Sequence, residues 1–324
     1  MPVPGDFWRP RTEPTMYFIG VTTGQSSIMT VFPVWSEILG LGARIEGYDA
    51  PIHADAASYR AIVRHIREDP LSIGALITTH KIDLLEASRD LFDRLDANAL
   101  LCGEISCIAK ADGELIGCAL DPISSGLAWR TIVEPGYFGR TGAHVLCLGA
   151  GGTALALGVY LSRQPDPADR PQRMVVVNRS PGRLESLRRV LDSLGSSIEV
   201  EYVRDQDPAR NDALMASLPA GSIVVNTTGM GKDTPGSPTT DGGIFPEGGI
   251  AWDLNYRGEL AFLHQAERQA ATRGLRVHDG WGYFLRGWTH AISTLFQIDM
   301  TLERFAELDR AASPIRSPGR KLNG

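Results

Sequence analysis

The run Leu146-Cys147-Leu148-Gly149-Ala150-Gly151-Gly152-Thr153-Ala154 sets a glycine-rich turn directly behind a short apolar segment and ahead of a helix-compatible one. Gly149 permits a tight turn, Gly151 lets backbone approach a pyrophosphate, and the small Ala154 lets the helix sit close to its strand, which is the dinucleotide fingerprint in its required context. The new helix offers unpaired N–H groups and a positive dipole end to phosphate oxygens. Gly149, Ala150, Gly151, Gly152, Thr153 and Ala154 are therefore the candidate cradle. About 30 residues on, the next apolar run ends in Asn178-Arg179-Ser180 with Arg183 close behind, where a carboxylate would otherwise hold a ribose 2′-hydroxyl. Donors and positive charge suit a 2′-phosphate instead, and cations at a helix start are misplaced unless an anion meets them. NADP is the expected cofactor. A third cue is Val225-Asn226-Thr227-Thr228-Gly229-Met230, a strand end that brings hydroxyls and pliable backbone to the sheet's carboxyl edge.

Two further residues could move a proton. Lys81 follows the apolar run Leu76-Ile77-Thr78-Thr79-His80, and Asp121 closes another, Leu115-Ile116-Gly117-Cys118-Ala119-Leu120. Reduction of a ketone needs a donor for the developing alkoxide, and a positioned ammonium meets that need, with a carboxylate to orient it. On spacing alone, an ordinary surface ion pair worth about 0–1 kcal/mol is the simpler account of the two residues.

An alternation of strands and helices must position these groups. Met16–Val21, Arg44–Tyr48 and Ile73–Thr78 read as strands, with helices over Val31–Leu41 and Ala56–Arg67 between them. Within Glu104–Cys118, Asp112-Gly113 reads as a hairpin turn. His144–Leu148, Arg173–Val177, Ile198–Val203, Ser222–Val225 and Ile250–Leu254 form a second set of strands, with helices over Thr153–Arg163, Arg183–Ser193 and Glu259–Arg273. A last helix over Tyr283–Phe296 is expected to return to the first domain. Such alternation calls for mostly parallel sheets covered by helices. The predicted fold class is α/β: an N-terminal α/β domain over 15–126, a doubly wound Rossmann domain over 127–278 that takes NADP, and returning helices over 279–312, with disordered ends at 1–14 and 313–324.

The chain has 324 residues, enough for two domains at roughly 150 residues each. A formal net charge of −6 argues against a bulk nucleic-acid or anionic-membrane binder. No window approaches the ~20 apolar residues of a membrane span. Met1 to Pro14 carries four prolines and no apolar core of an export signal. Four irregularly spaced cysteines, without CxxC pairs, read as buried free thiols rather than a metal site. The expected location is cytoplasmic, and a homodimer is one assembly the sequence allows.

From about Met16 to about Ile298 the sequence resembles the shikimate dehydrogenase family. The resemblance rests on the GAGG turn at Gly149–Gly152, on Asn178-Arg179-Ser180, on Asn226-Thr227-Thr228-Gly229-Met230 and on Asp253-Leu254-Asn255-Tyr256. It implies Lys81 as the catalytic lysine, with Thr78 at the motif's threonine, and Asp121 as the catalytic aspartate, with Gly117 before it and Gly126 after. It implies a substrate domain and an NADP domain with the active site in the cleft between them. It adds Leu254 and Gly280 to the cofactor contacts, and Ser26, Ser27, Thr78, Ser106 and Tyr256 to the contacts of a small cyclic hydroxy acid.

Departures from the family pattern fall on the substrate side. Ile28 replaces the second serine of a Ser-x-Ser pair, Ser106 replaces an asparagine, and Gly287 replaces a glutamine. Losing a partner for a buried polar group costs about 1–3 kcal/mol each. His80, Gln25, Arg286, His290 and Trp281 are the candidates to replace lost contacts. The expectation is NADP-dependent reduction of 3-dehydroshikimate or a related cyclic acid. Quinate dehydrogenase, or a non-catalytic NADP(H)-sensing module, is the alternative. A methylene-tetrahydrofolate dehydrogenase is disfavoured, because its tyrosine-and-lysine helix is not evident.

Overall fold

The structure is a computed structural model that describes residues 9–232 and 234–316. The disorder expected of 1–8 and 317–324 lies outside the described residues. The chain opens with β1 (Thr15–Gly20), α1 (Ile28–Ile38), β2 (Arg44–Asp49), α2 (Ala56–Glu68), β3 (Ser72–Ile77), α3 (Lys81–Ser88), β4 (Arg94–Leu95), α4 (Ala97–Cys102), β5 (Cys107–Ala111) and β6 (Glu114–Cys118). It continues through α5 (Asp121–Trp129), α6 (Tyr137–Thr141), β7 (Val145–Leu148), α7 (Gly152–Ser162), β8 (Arg173–Asn178), α8 (Pro181–Ser193), β9 (Glu199–Arg204), α9 (Pro208–Ala216) and β10 (Ile223–Asn226). The last elements are β11 (Ile250–Asp253), α10 (Ala261–Glu267), α11 (Ala270–Arg273), β12 (Arg276–His278), α12 (Trp281–Phe296) and α13 (Leu302–Ala312). They form two compact units: residues up to Leu120 together with those from Gly287 on, and Asp121–Arg286.

The first unit is built on a six-stranded sheet in the order β2-β1-β3-β5-β6-β4. β1 runs parallel to β2 and β3, and β5 turns antiparallel. The Asp112-Gly113 turn joins β5 to β6 with positive φ at both residues (52° and 82°), the geometry that matches strand twist in a two-residue hairpin. α2 carries Tyr59, Ile62, Val63 and Ile66 on one buried stripe against one face of this sheet. The Asp55 carboxylate caps that helix, accepting from Ser58 N at 2.8 Å. The other face receives the second part of α12, where the Trp288 ring meets the edge of Phe18 at 4.9 Å. The expected return of the last helix to the first unit is thus what α12 does. Trp35 on α1 is wholly buried, and its Nε1 donates to Leu308 O at 2.9 Å, docking α13.

Residues 9–14 depart from the expected loose start. Arg11 donates from its backbone to Asp69 Oδ2 at 2.9 Å and from Nε to Tyr17 Oη at 2.6 Å, and pairs with Glu46 at 2.8 Å. One backbone and two guanidinium contacts of Arg11 tie the segment down although it has no regular structure. At the other end, Ser313–Ile315 adds a short 3-10 turn.

The second unit has an all-parallel sheet in the order β12-β11-β10-β7-β8-β9. Counted from β7, the winding reverses between β7 and β10, as in doubly wound dinucleotide folds. β7, β10 and β11 are buried along their whole length, which is why they read as unbroken apolar runs rather than alternating ones. The segment Glu259–Arg273, expected as one helix, is interrupted at Arg268-Gln269 and makes α10 and α11. The Gln269 side chain ties that break to the neighbouring loop, donating to Gly243 O at 2.7 Å and accepting from Phe245 N at 3.2 Å. α3, α4, α6, α9, β4 and β12 were not anticipated, because most are too short to show a periodic pattern.

All four cysteines are free. Cys107, Cys118 and Cys147 are buried as expected, whereas Cys102 at the end of α4 is partly exposed. Burial pushes the Cys118 and Cys147 thiols up to about 12, so neither ionises at neutral pH.

α5 belongs to the second unit because it packs against α7. A Cβ at Gly126 would lie 2.2 Å from the Tyr160 ring, whose hydroxyl accepts from Arg130 Nε at 2.9 Å. This glycine is required by packing. Gly126→Ala should therefore lower unfolding free energy by about 1–3 kcal/mol in urea titrations. In a Tyr160→Ala background the same change should cost little.

Candidate active site

At the carboxyl edge of the second sheet the fingerprint takes its expected shape. Gly149 has φ 121°, and a Cβ there would lie 2.6 Å from Thr227 Oγ1 and 3.0 Å from the Thr227 backbone. Thr227 Oγ1 bridges Leu148 O and Gly149 O at 2.9 and 3.0 Å. Its hydroxyl therefore laces β10 to β7. Gly151 precedes α7 in extended conformation, and the nearest atom to a Cβ there is an Arg183 guanidinium nitrogen at 3.7 Å. The first turn of α7 holds no acidic residue and no capping side chain, so its N–H groups face this space without an intramolecular anion. Ala154 is wholly buried against the sheet and Ala150 nearly so, while Gly152 and Thr153 are half-buried at the helix start.

After β8, Asn178 Oδ1 accepts from Ser180 N at 2.8 Å, a turn that launches α8 at Pro181. Asn178 shapes the loop that carries Arg179 and Arg183. Both arginines are exposed, and neither makes an ion pair or side-chain hydrogen bond among the described residues. Two unpaired guanidiniums beside the positive end of a helix are electrostatically unfavourable until an anion arrives. A dinucleotide with a 2′-phosphate fits this edge: α7's N-terminus for the pyrophosphate, Arg179 and Arg183 for the extra phosphate.

Asn226, expected among the cofactor contacts, is wholly buried and acts from beneath. Its Oδ1 accepts from Thr228 N (3.0 Å) and Thr228 Oγ1 (2.6 Å), and its Nδ2 donates to Asp253 Oδ1 at 3.0 Å. This side chain shapes the Thr228-Gly229-Met230 loop and leaves no atom for a ligand. Gly280 approaches the turn after β11 so closely that a Cβ would lie 2.0 Å from Leu254 O, and it donates to Asn255 O at 3.0 Å. Leu254 is half-buried beside it. Trp281, offered as a replacement contact, is buried as core of an aromatic group, stacked on Phe284 at 5.0 Å with the edge of Tyr256 at 5.4 Å.

In the first unit, Ser26 and Ser27 stand at the start of α1, half-buried, and their hydroxyls make no hydrogen bond among the described residues. Ile28 is wholly buried in the core, so no polar group takes its place at that helix start. Thr78, also half-buried and without a side-chain hydrogen bond among the described residues, ends β3, and a Cβ on Gly20 would lie 3.0 Å from its Oγ1. The next residue, Thr79, holds φ 57°, an unusual backbone for a β-branched residue. His80 then turns inward. Its Nδ1 lies 2.9 Å from Tyr59 Oη and its Nε2 3.1 Å from Gly20 O, all of it buried. His80 is thereby a post that fixes the turn, not a contact for a ligand. Lys81, half-buried, opens α3 immediately after it.

Ser106 corrects an expectation. It is buried, and its Oγ accepts from Leu120 N at 2.8 Å, while its own carbonyl accepts from Ile77 N at 2.8 Å. The preceding Ile105 N donates to Lys81 O at 3.2 Å. The dipeptide Ile105-Ser106 therefore ties the backbone of Lys81 to that of Leu120, whose successor Asp121 opens α5. Nothing in the sequence signalled this bridge or the role of Tyr59, since both depend on strands brought together from distant stretches.

A doubly wound dinucleotide unit joined to a second α/β unit, which carries a lysine on a strand-end turn, is the architecture of a two-unit dehydrogenase. No family model matches the chain. It is 30% identical over 235 residues to the shikimate dehydrogenase (NADP(+)) of Xanthomonas euvesicatoria pv. vesicatoria, spanning 72% of this chain and 73% of that one. It is 28% identical over 283 residues to the same-named enzyme of Methylobacterium radiotolerans, covering 84% and 87%. The fold is that of shikimate 5-dehydrogenase from Listeria monocytogenes, solved in complex with shikimate and NAD, with TM-score 0.69 at 19% identity over 93% of this chain and 98% of that one. The chain belongs to the shikimate dehydrogenase family.

Ser106→Ala should leave the Leu120 N–H without its acceptor in a buried setting. The expected loss is about 1–3 kcal/mol of unfolding free energy, read by urea denaturation.

Proposed function

We propose that this protein catalyses NADP-dependent interconversion of 3-dehydroshikimate and shikimate, or of a closely related cyclic polyhydroxy acid. The observation that carries the reading is the fixed placement of Lys81, posted by His80 behind it and tied through Ile105-Ser106 to the segment that delivers Asp121. Bound NADPH supplies the hydride. The Lys81 ammonium donates the proton to the substrate ketone oxygen, and in the reverse direction accepts it. Asp121 orients that ammonium and holds a neighbouring substrate hydroxyl. The Ser26, Ser27 and Thr78 hydroxyls bind the ring substituents. Arg179 and Arg183 hold the 2′-phosphate and the α7 start holds the pyrophosphate.

Two features favour a related acid over shikimate itself. Ile28 lies in the core and the Ser106 hydroxyl is engaged by Leu120, so neither offers the polar group that the family resemblance calls for. Quinate is the first alternative substrate. Among the described residues no helix is long and apolar enough to cross a membrane. We place the enzyme in the cytoplasm, in aromatic amino acid biosynthesis, with its free thiols suited to a reducing compartment. Light scattering on the purified protein tests the homodimer expectation.

Lys81→Ala should lower kcat by about 100- to 10,000-fold at saturating NADPH and 3-dehydroshikimate or 3-dehydroquinate, with cofactor binding unchanged. Turnover within about twofold of wild type on either ketone would remove the acid–base assignment. Arg183→Ala should weaken NADPH binding by about tenfold or more while leaving NADH binding nearly unaltered, measured by nicotinamide fluorescence.

A further inference from the structure

Asp253 closes β11 with a carboxyl that is wholly buried. Its Oδ1 accepts from Asn226 Nδ2 (3.0 Å), Asn255 N (2.9 Å) and Asn255 Nδ2 (2.9 Å). Its Oδ2 is buried with no hydrogen-bond partner among the described residues. The same two asparagines hold the loop above. Asn255 Nδ2 donates to Thr228 O and Met230 O, each at 3.1 Å, and Asn226 Nδ2 lies 3.5 Å from Met230 O. Thr228 Oγ1 in turn accepts from Met230 N at 3.2 Å. The ties that seat Thr228 and Met230 over β11 thus run through amides that also serve one carboxyl.

Among the described residues, that carboxyl has no cation in its hydrogen-bond shell. Burial, opposed by the amide donors of Asn255 and Asn226 and reinforced by the negative charge of Asp279 after β12, pushes it up to about 7. Titratable groups on neighbouring elements include Lys232 just beyond Met230, His278 on β12, Tyr256, Arg257 and Glu259 after β11, and His264 and Glu267 on α10. His264 and Glu267 pair with each other at the surface. An ionised Asp253 must hydrate Oδ2, and water reaches a wholly buried oxygen only where the loop above it opens.

We propose that Asp253 is a positioning residue that acts as a proton-sensitive latch on the Thr228–Met230 loop. Neutral, it seats the loop in the shape that receives the dinucleotide; ionised, it loosens the loop and lowers affinity for NADP(H). The proposal rests on reading this sheet edge as the NADP site. The sign follows from linkage. A carboxyl raised from 3.8 to about 7 in the closed form favours that form fully at acid pH. The advantage is lost as pH rises through about 7.

NADPH binding is measured by nicotinamide fluorescence from about pH 5.5 to about pH 8.5 for wild type and Asp253→Asn, which keeps the Oδ1 acceptor but cannot ionise. The wild-type Kd should rise about three- to tenfold more across neutrality than that of the variant. The titration of the 2′-phosphate itself is common to both proteins and cancels in the comparison. Parallel profiles overturn the latch and leave the edge as an NADP site. A wild type that binds no NADPH at any pH overturns the cofactor reading and the latch with it. Amide exchange at residues 228–231 of the cofactor-free wild type, corrected for intrinsic rates, needs no variant. Protection should fall as pH crosses about 7, and protection that stays level overturns the proposal.

Discussion

Where the winding of the second sheet reverses, Thr227 sits astride the peptide that ends β7, its hydroxyl held by Leu148 O and Gly149 O. The two strand ends approach so closely that residue 149 can carry no side chain. The departure of α7 follows from this lacing. It sets the turn from which α7 departs and leaves open backbone at Gly151, while Asn226 and Asn255 hold the loop beyond Thr227. The α8 start is placed by a separate device, the Asn178 turn, and Arg183 reaches back toward Gly151 from there. An edge with a helix N-terminus, two arginines that form no ion pairs among the described residues, and no acidic residue in the first turn of either helix is arranged for a ligand with several negative charges.

The first unit distributes its polar groups differently. His80, Tyr59 and Ser106 are buried and hydrogen-bonded, and they hold backbone instead of facing solvent. Buried polar groups of this kind are costly unless satisfied, and once satisfied they fix one geometry. The hydroxyls of Ser26, Ser27 and Thr78 are the contrasting set, partly exposed and without hydrogen-bond partners among the described residues. The division separates polar groups that build the frame from polar groups left partly exposed.

Much of this was legible in the sequence. The alternation of apolar runs and amphipathic stretches was enough for two α/β units, because a strand buried on both faces has to be apolar throughout and a covering helix has to be striped. The glycine turn was legible because its chemistry is local: Gly149, Gly151 and Ala154 each answer to backbone within a strand–turn–helix. Arg179 and Arg183 were legible for the same reason, as cations at a helix start. What failed was contact made across the sheet. Ser106 and Asn226 look like binding residues by type and motif position, yet Leu120 and Asp253 engage them.

Sequence alone thus determined the class of fold and the glycine-rich turn, which rest on nearest-neighbour geometry and periodic burial, whereas Lys81 and Asp121 were singled out by family resemblance and not by spacing. Only tertiary structure decided which polar side chains face outward. That choice depends on which distant strand ends meet, as β5 meets the end of β6 and β10 meets β11. It also buried the Asp253 carboxyl beneath the Thr228–Met230 loop, where Asn226 and Asn255 donate to its Oδ1.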